Sequence, residues 1–404
     1  MNRSDSHRLW SFLALRRETV GLLLLVVLVG LGERLAERFL PIYLMALGGG
    51  TWVIGTLGAM QNLLNALYAL PGGYLAEHLG IRKSLVIINL IAMCGYLLVI
   101  LVPRWEAVLV GAVLFLAWSS LSLPASMGLI AKVLPSNKRT MGVTMHSLVK
   151  RLPMALGPVI GGVCVDRFGE VDGIRLAFII ALVLAALGLF AQQRLIPDDK
   201  PAGGAPPISP AQILALLTPG MRQLLISDIL VRFCEQIPYA FVVIWCMKSI
   251  AQPVSATEFG YLTSIEMVTA VLVYLPVAWL ADRSGKKPFV VITFLFFSAF
   301  PLVLLHADTF PWLIAAFVIR GLKEFGEPAR KALILDLAPP DHRAAAFGAY
   351  YLVRDLVVSF AAFGGAFLWQ ISPEVNLWSA TLFGLVGTVW FAFRCQEEPT
   401  AQKR

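Results

Sequence analysis

Charge is scarce in this chain. Only 14% of its 404 residues are Asp, Glu, Lys or Arg, whereas a soluble globular protein carries about 25%. Too few charges are present to coat a water-facing surface of this size, which argues against a soluble α/β enzyme. Cysteine is sparse as well: Cys94, Cys164, Cys234, Cys246 and Cys395 are five in all, most of them inside apolar segments. No pair has metal-ligand spacing, so neither a metal site nor a disulfide framework is implied, and the cysteines read as small hydrophobes in helices. The five histidines, His7, His78, His146, His306 and His342, are scattered and lie mostly in loops. A membrane enzyme would want a His/Asp or Ser/His cluster at one face, so no catalytic residue is assigned. No G-x-x-x-x-G-K-S/T loop occurs, which argues against ATP as a driving force, and no cofactor is implied. A soluble signalling domain, normal in a receptor, is missing too.

What is abundant is apolar: 58% of residues, in long runs such as Val20–Gly32, Ser84–Pro103, Val108–Ala131 and Ile179–Gln193 that contain no charge. Crossing a bilayer takes roughly 20 mostly apolar residues. Runs and breakers predict spans at 19–46, 51–76, 84–102, 106–133, 140–166 and 174–196, then 221–249, 257–281, 287–306, 310–336, 343–369 and 375–395. The first run has the length of a signal-peptide core, but Glu33-Arg34 follows where a cleavage site would stand, so it is expected to be retained. The chain then divides into an N-terminal segment 1–18, a six-helix bundle 19–196, a linker 197–220, a second bundle 221–395 and a tail 396–404. The linker is marked by Asp198-Asp199-Lys200-Pro201, Gly203-Gly204 and five further prolines, the composition of a flexible polar segment.

A net charge of +8 could point to nucleic acid, but the cations gather in alternate loops. One side carries Arg82, Lys83, Lys138, Arg139, Arg194, Lys200, Arg283, Lys286, Lys287 and Arg343, and both termini join it through Arg3, Arg8, Arg16, Arg17, Arg394, Lys403 and Arg404. The other side has Arg104, Arg167, Arg175 and Lys248, two of them beside acids. The lysine and arginine bias places both termini in the cytoplasm, which requires an even number of spans. The expected partners are therefore a lipid bilayer and a small-molecule substrate, with no nucleic acid, and the chain is expected to act as a monomer.

The two halves repeat. Leu75-Ala76-Glu77-His78 and Gly80 align with Leu280-Ala281-Asp282-Arg283 and Gly285, an offset of 205 residues. Pro124-Ala125 with Pro328-Ala329, Pro135 with Pro339, Arg139 with Arg343 and Gly161 with Gly365 keep an offset of 204.

The segment from Gly73 through Glu77, Gly80, Arg82 and Lys83 resembles the G-x-L-a-D-r-x-G-r-R/K loop signature of the major facilitator superfamily. A second copy, with Asp282, Arg283 and Gly285, sits between the eighth and ninth spans, where that family repeats it. The resemblance implies an all-α integral membrane fold of twelve transmembrane helices in two pseudo-symmetric six-helix bundles. It also implies that this loop latches the outward-facing state, with Glu77 standing where aspartate is usual. Physically, Gly73 permits close helix approach, Glu77 can pair with arginines on neighbouring helix ends, and Arg82 and Lys83 enforce topology. A topogenic turn with no gating role is the alternative. Gly157-Pro158 and Gly161-Gly162 resemble the end of a helix-five motif of antiporters in the superfamily, although Pro153 replaces an earlier glycine. That tilts the reading towards export, and a packing kink remains the alternative.

Ionisable groups inside spans carry the most functional information. Glu33, Arg34, Glu37 and Arg38 in the first span would cost on the order of 10 kcal/mol facing lipid, so they are expected to face the bundle interior, with Arg34 and Glu37 paired at i,i+3. Asp228, Arg232 and Glu235 form one stripe of the seventh span and repeat the arginine–carboxylate pair. In the second span Gln61, Asn62 and Asn65 are polar, and Glu266 replaces Gln61 in the eighth. With no basic residue near it in sequence, Glu266 reads as an isolated buried carboxylate and the preferred proton carrier. In the tenth span Arg320, Glu324, Glu327 and Lys331 recur on one helical face, while Arg330 and Lys331 read as topogenic. Lys150, Arg151, Arg354 and Asp355 lie at mid-depth, where the cations either hold an anionic group or pair with Glu324 or Glu327.

These readings predict a secondary active transporter of a small polar or anionic solute in a bacterial-style inner membrane, working by alternating access, coupled to protons and leaning to export. An uncoupled facilitator or importer of the same fold is the first alternative, and a non-transport membrane receptor or enzyme on this scaffold the second.

Overall fold

The computed structural model describes residues 17–133, 136–196, 216–339 and 343–395. Among these residues the chain forms twelve helical rods. The first, α1, runs Arg17–Glu37 and resumes as Leu40–Ala46; α2 is Thr51–Leu79, α3 Ile81–Leu101, and α4 Trp105–Phe115 continued by Ala117–Val133. One helical stretch, Ser136–Leu195, breaks at Gly169 (φ 82°) into α5 (136–168) and α6 (170–195). The seventh, α7, is Pro219–Tyr239 with a short continuation through Val242–Ile244 and the π-type turn Trp245–Ser249. Then come α8 (Ala256–Ser284), α9 (Lys287–Leu305), α10 (Phe310–Leu322 resumed as Glu327–Leu337), α11 (Arg343–Ile371) and α12 (Pro373–Arg394). Among the described residues six helices qualify as membrane spans by length and composition, and the bent α7 would add a seventh; α4 and α10 are each interrupted into shorter segments. Leu101, Leu272, Phe360 and Phe393 are among the large apolar side chains left exposed, as a lipid-facing surface requires.

Three of the interruptions have local causes. Pro41 opens the second part of α1 and lacks the N–H that would continue the ladder, so Arg38 and Phe39 form a tight turn closed by Phe39 N–H donating to Ala36 at 2.9 Å. In α7, Pro238 precedes a 44° bend. In α10, Pro328 opens the second part, and the backbone tightens to Phe325 N–H donating to Leu322 at 2.9 Å. The tenth span is therefore not the continuous helix expected from its periodicity.

The chain partitions into two compact units, one of residues up to 53 with 64–206 and 255–264, the other of 54–63, 207–254 and 265–404. Relative to halves drawn at the linker, each unit takes in about one short piece of the other half: 255–264 from α8 and 54–63 from α2. The expected linker lies outside the described residues as far as 215, as do most of the N-terminal segment and the tail.

Within the first unit α1 and α5 are in backbone contact. A Cβ on Gly157 would stand 2.6 Å from Arg34 Cβ, and one on Gly161 would collide with the Leu35 carbonyl. Residues 255–264 lie on the same helix: a Cβ on Gly260 would meet the Pro158 carbonyl at 2.6 Å, and Gly162 abuts Ala256. In the second unit the equivalent glycine, Gly365 of α11, abuts Ile237 of α7. The repeat seen in sequence is thus a repeat of helix contacts. Beside it, Gly58 of α2 packs on Ala362, and Asn62 Nδ2 donates to Gln236 Oε1 at 3.0 Å. An apolar core in this unit, including Met221, Leu224, Phe294, Leu333, Tyr350 and Phe391, holds α7, α9, α10, α11 and α12 together.

Candidate functional site

The second unit contains a continuous ladder of buried opposite charges. It begins at Arg320, whose Nε lies 3.4 Å from Glu266 Oε1 and whose guanidinium is bracketed by the Phe300, Phe317 and Tyr239 rings. Lys323 Nζ is shared between Glu266 Oε1 at 3.2 Å and Glu235 Oε1 at 2.8 Å. Arg232 donates to Glu235 Oε2 at 2.6 Å and reaches towards Glu327 Oε2 at 3.9 Å. Glu327 in turn accepts from Arg330 Nη2 at 2.7 Å and Nε at 2.9 Å. Arg330 donates to Asp228, whose Oδ2 also accepts from the Tyr350 hydroxyl at 3.1 Å. Arg354 Nη1 stands 3.6 Å from the same oxygen and its Nη2 2.6 Å from Asp355 Oδ1. Five carboxylates therefore alternate with five cations across α7, α8, α10 and α11.

Arg320 and Lys323, three residues apart, face the same way, and both reach Glu266. Lys323 closes the first part of α10 with helical dihedrals, and Glu324 is half-buried in the turn that follows. Small residues bring the backbones near: a Cβ on Gly321 would lie 2.6 Å from the Glu266 carbonyl. Three expectations are corrected here. Glu266 is not isolated, because cations absent from its sequence neighbourhood arrive from α10. Arg330 is not a topogenic surface group but the largest fully buried side chain among the described residues. The acids beside Arg354 are Asp228 of α7 and Asp355, not Glu324 or Glu327. Lys331, with its side chain 44% exposed and 3.4 Å from Glu327, stays at the rim.

Arg320, Lys323 and Arg330 escaped selection as site residues because pairing between helices leaves no mark at helical spacing. One signal was legible. The stripe Asp228–Arg232–Glu235 holds two acids for one base, so a buried partner had to supply cations, and α10 is the span with the most.

In the first unit the expected Arg34–Glu37 pair is present. Glu33 is buried, Arg38 half-buried at the break in α1, and Lys150 and Arg151 are half-buried on α5. Asn65 is exposed. Among the described residues no group of three or more His, Cys, Asp or Glu could hold a metal ion.

Residues 22–250 and 224–404 match the sequence profile of the Major Facilitator Superfamily. The chain belongs to the major facilitator superfamily, and it is a transporter of that family. An uncharacterized MFS-type transporter of Methanocaldococcus jannaschii is 23% identical over 392 residues, covering 88% of this chain and 89% of that one. In structure it is similar to a nucleoside transporter (TM-score 0.76, 16% identity, 93% of this chain and 98% of that one). It is also similar to a peptide transporter (TM-score 0.74, 15% identity, 92% of each). A third similar structure is a bacterial homolog of the human lysosomal transporter Spinster (TM-score 0.69, 13% identity, 94% of this chain and 98% of that one).

The loop signatures of this facilitator have a backbone reason for their last glycines. Gly80 and Gly285 both adopt positive φ, 84° and 89°, which side chains other than glycine rarely tolerate. Arg82 binds the end of α6, its Nη2 donating to the Gln193 carbonyl at 3.0 Å while Gln192 Nε2 donates back to the Arg82 carbonyl at 2.8 Å. Lys83 is exposed. Gly73 lies within α2, and the side chains of Glu77, Asp282 and Arg283 lie outside those described. Gly157 and Gly161 lie against the backbone of α1, Gly162 against the start of α8, and Gly260 against the Pro158 carbonyl. One residue missed in the sequence belongs with them. Asp166, at the end of α5, accepts from Ala256 N–H at 2.9 Å and Thr257 N–H at 2.8 Å. It thereby satisfies two of the unpaired donors at the start of α8, where Ser255 and Glu258 also form a reciprocal capping box.

Proposed function

We propose that this facilitator is a secondary active transporter that moves a small polar or anionic solute by alternating access, coupled to protons. The observation that carries the reading is the alternating ladder from Arg320 to Asp355. A ladder in which Lys323 serves two carboxylates and Asp228 serves two donors, with Arg354 3.6 Å away, can exchange partners when a proton or an anion arrives, at lower cost than breaking an isolated buried pair. Glu266 keeps its place as the preferred proton carrier, in a revised role. Protonating it releases Arg320 and hands Lys323 wholly to Glu235, so a single proton changes the pairing of α8 with α10. The Arg34–Glu37 pair of α1 is the corresponding element of the first unit, and the Glu77 and Asp282 loops are the latch on one state.

The protein is proposed to sit in an inner membrane with both termini and the 197–220 linker in the cytoplasm, as the loop cations favour, and to act as a monomer. Transport of a labelled metabolite panel into everted vesicles, with and without a pH gradient, tests the reading. Accumulation that collapses with the gradient supports coupling. Equilibration unaffected by the gradient makes the protein an uncoupled facilitator, and no transport of any solute overturns the proposal. A cysteine introduced in the linker should resist membrane-impermeant maleimide in intact cells.

A further inference from the structure

The ladder ends in a pair between consecutive residues. Arg354 and Asp355 are consecutive on α11, and consecutive helical residues diverge by about 100° and do not face one another. The pair forms nevertheless, with both Arg354 Nε and Nη2 reaching the single oxygen Asp355 Oδ1 at 2.7 and 2.6 Å. A guanidinium presents a planar fork suited to two oxygens, and here the fork is filled by one. Its remaining nitrogen, Nη1, is buried and makes no hydrogen bond, and the Asp228 oxygen 3.6 Å away is already bound by Arg330 and Tyr350. The arginine itself is held rigidly. It is buried, at 7% exposure, and lies over the Tyr351 ring at 4.2 Å. Asp355 is the opposite, the most exposed of the ten ladder side chains at 22%.

We infer that Arg354 is the anchor for an anionic group of the transported solute, and that Asp355 is an internal stand-in occupying the fork when no solute is bound. This rests on the transport reading above and narrows its substrate class. When solute enters, its carboxylate takes Nε and Nη2 with two oxygens, and Asp355, the more exposed of the two side chains, turns away. Asp228 remains paired to Arg330, so nothing buried is left uncompensated. The charge count sets the class. Release of Asp355 leaves one positive charge on Arg354 without its nearest carboxylate, which a monoanionic group neutralises and a dianion overshoots.

The test uses the purified full chain in detergent, its thermal unfolding followed against benzoate at constant ionic strength, with uncharged benzamide and dianionic sulfate as comparators. Benzoate should raise the melting temperature and benzamide should not. In Asp355→Asn the half-maximal benzoate concentration should fall about tenfold, because the competitor is gone, and in Arg354→Gln the response should vanish. Arg354→Lys, which keeps the charge without the fork, should respond at about tenfold higher benzoate. A benzoate response retained in Arg354→Gln, an Asp355→Asn curve identical to wild type, or sulfate acting at lower concentration than benzoate would each overturn the assignment. A gain in Asp355→Asn cannot arise from misfolding, so the inference stays decidable even if Arg354→Gln does not fold. Failure of transport in vesicles would count against the transport reading, whereas failure of these anion responses counts against Arg354 alone.

Discussion

Glu235 of α7 and Lys323 of α10 meet at 2.8 Å at the point where the first part of α10 ends. Lys323 keeps helical dihedrals (φ −57°, ψ −23°) and so faces the same way as Arg320 one turn earlier. From there it also reaches Glu266, 57 residues away in sequence. Interrupted helices at a charged centre are a recurring feature of secondary transporters, and here the shared cation stands at the edge of the interruption.

Glu266→Gln removes the carboxylate that joins α8 to α10 while preserving volume. Solute accumulation driven by a pH gradient should fall at least tenfold, to the level without a gradient, whereas counterflow continues. Everted-vesicle uptake with an imposed gradient measures both. Wild-type accumulation with wild-type proton dependence would move the carrier role to Glu324 or Glu327.

Arg330→Gln should be strongly destabilising, by about 3–5 kcal/mol, because removing one partner of a buried pair leaves uncompensated charge. Asp228 and Glu327 would both lose their main donor. Adding Asp228→Asn to Arg330→Gln should recover part of the loss, since fewer unpaired charges remain. Thermal unfolding in detergent reads the series, and a single mutant as stable as wild type would show that the pairing contributes little.

Gly365→Ala should disturb the α7–α11 contact by about 1–3 kcal/mol, because its Cβ collides with the Ile237 carbonyl. Gly364→Ala is the internal control, with nothing within 4 Å of its Cβ. Equal stability of the two variants would refute the packing account of the repeated glycine.

Asp166→Ala removes the acceptor for the first two N–H groups of α8. Loss of a helix-capping acceptor costs about 0.5–2 kcal/mol, so hydrogen exchange at Ala256 and Thr257 should accelerate while exchange in the middle of α8 is unchanged. Unaltered exchange at both amides would show that the Ser255–Glu258 capping box alone holds this end.

The sequence by itself determined the class of the protein. A charge content too low for a soluble surface, uncharged runs of bilayer length and two copies of one loop signature follow from composition and spacing, which folding does not alter. It also determined the pairs that are local on a helix, Arg34 with Glu37 and Arg232 with Glu235, because residues three apart are neighbours wherever the helix goes. Only the tertiary structure decided the rest. Asp228 finds Arg330 across 102 residues, and Glu266 acquires two cations that its own helix lacks. Such pairings depend on which helix faces which and on where Pro41, Pro238 and Pro328 interrupt the rods. A buried charge is compensated in space, by whatever the fold brings within a few ångströms, and helical spacing is silent about that.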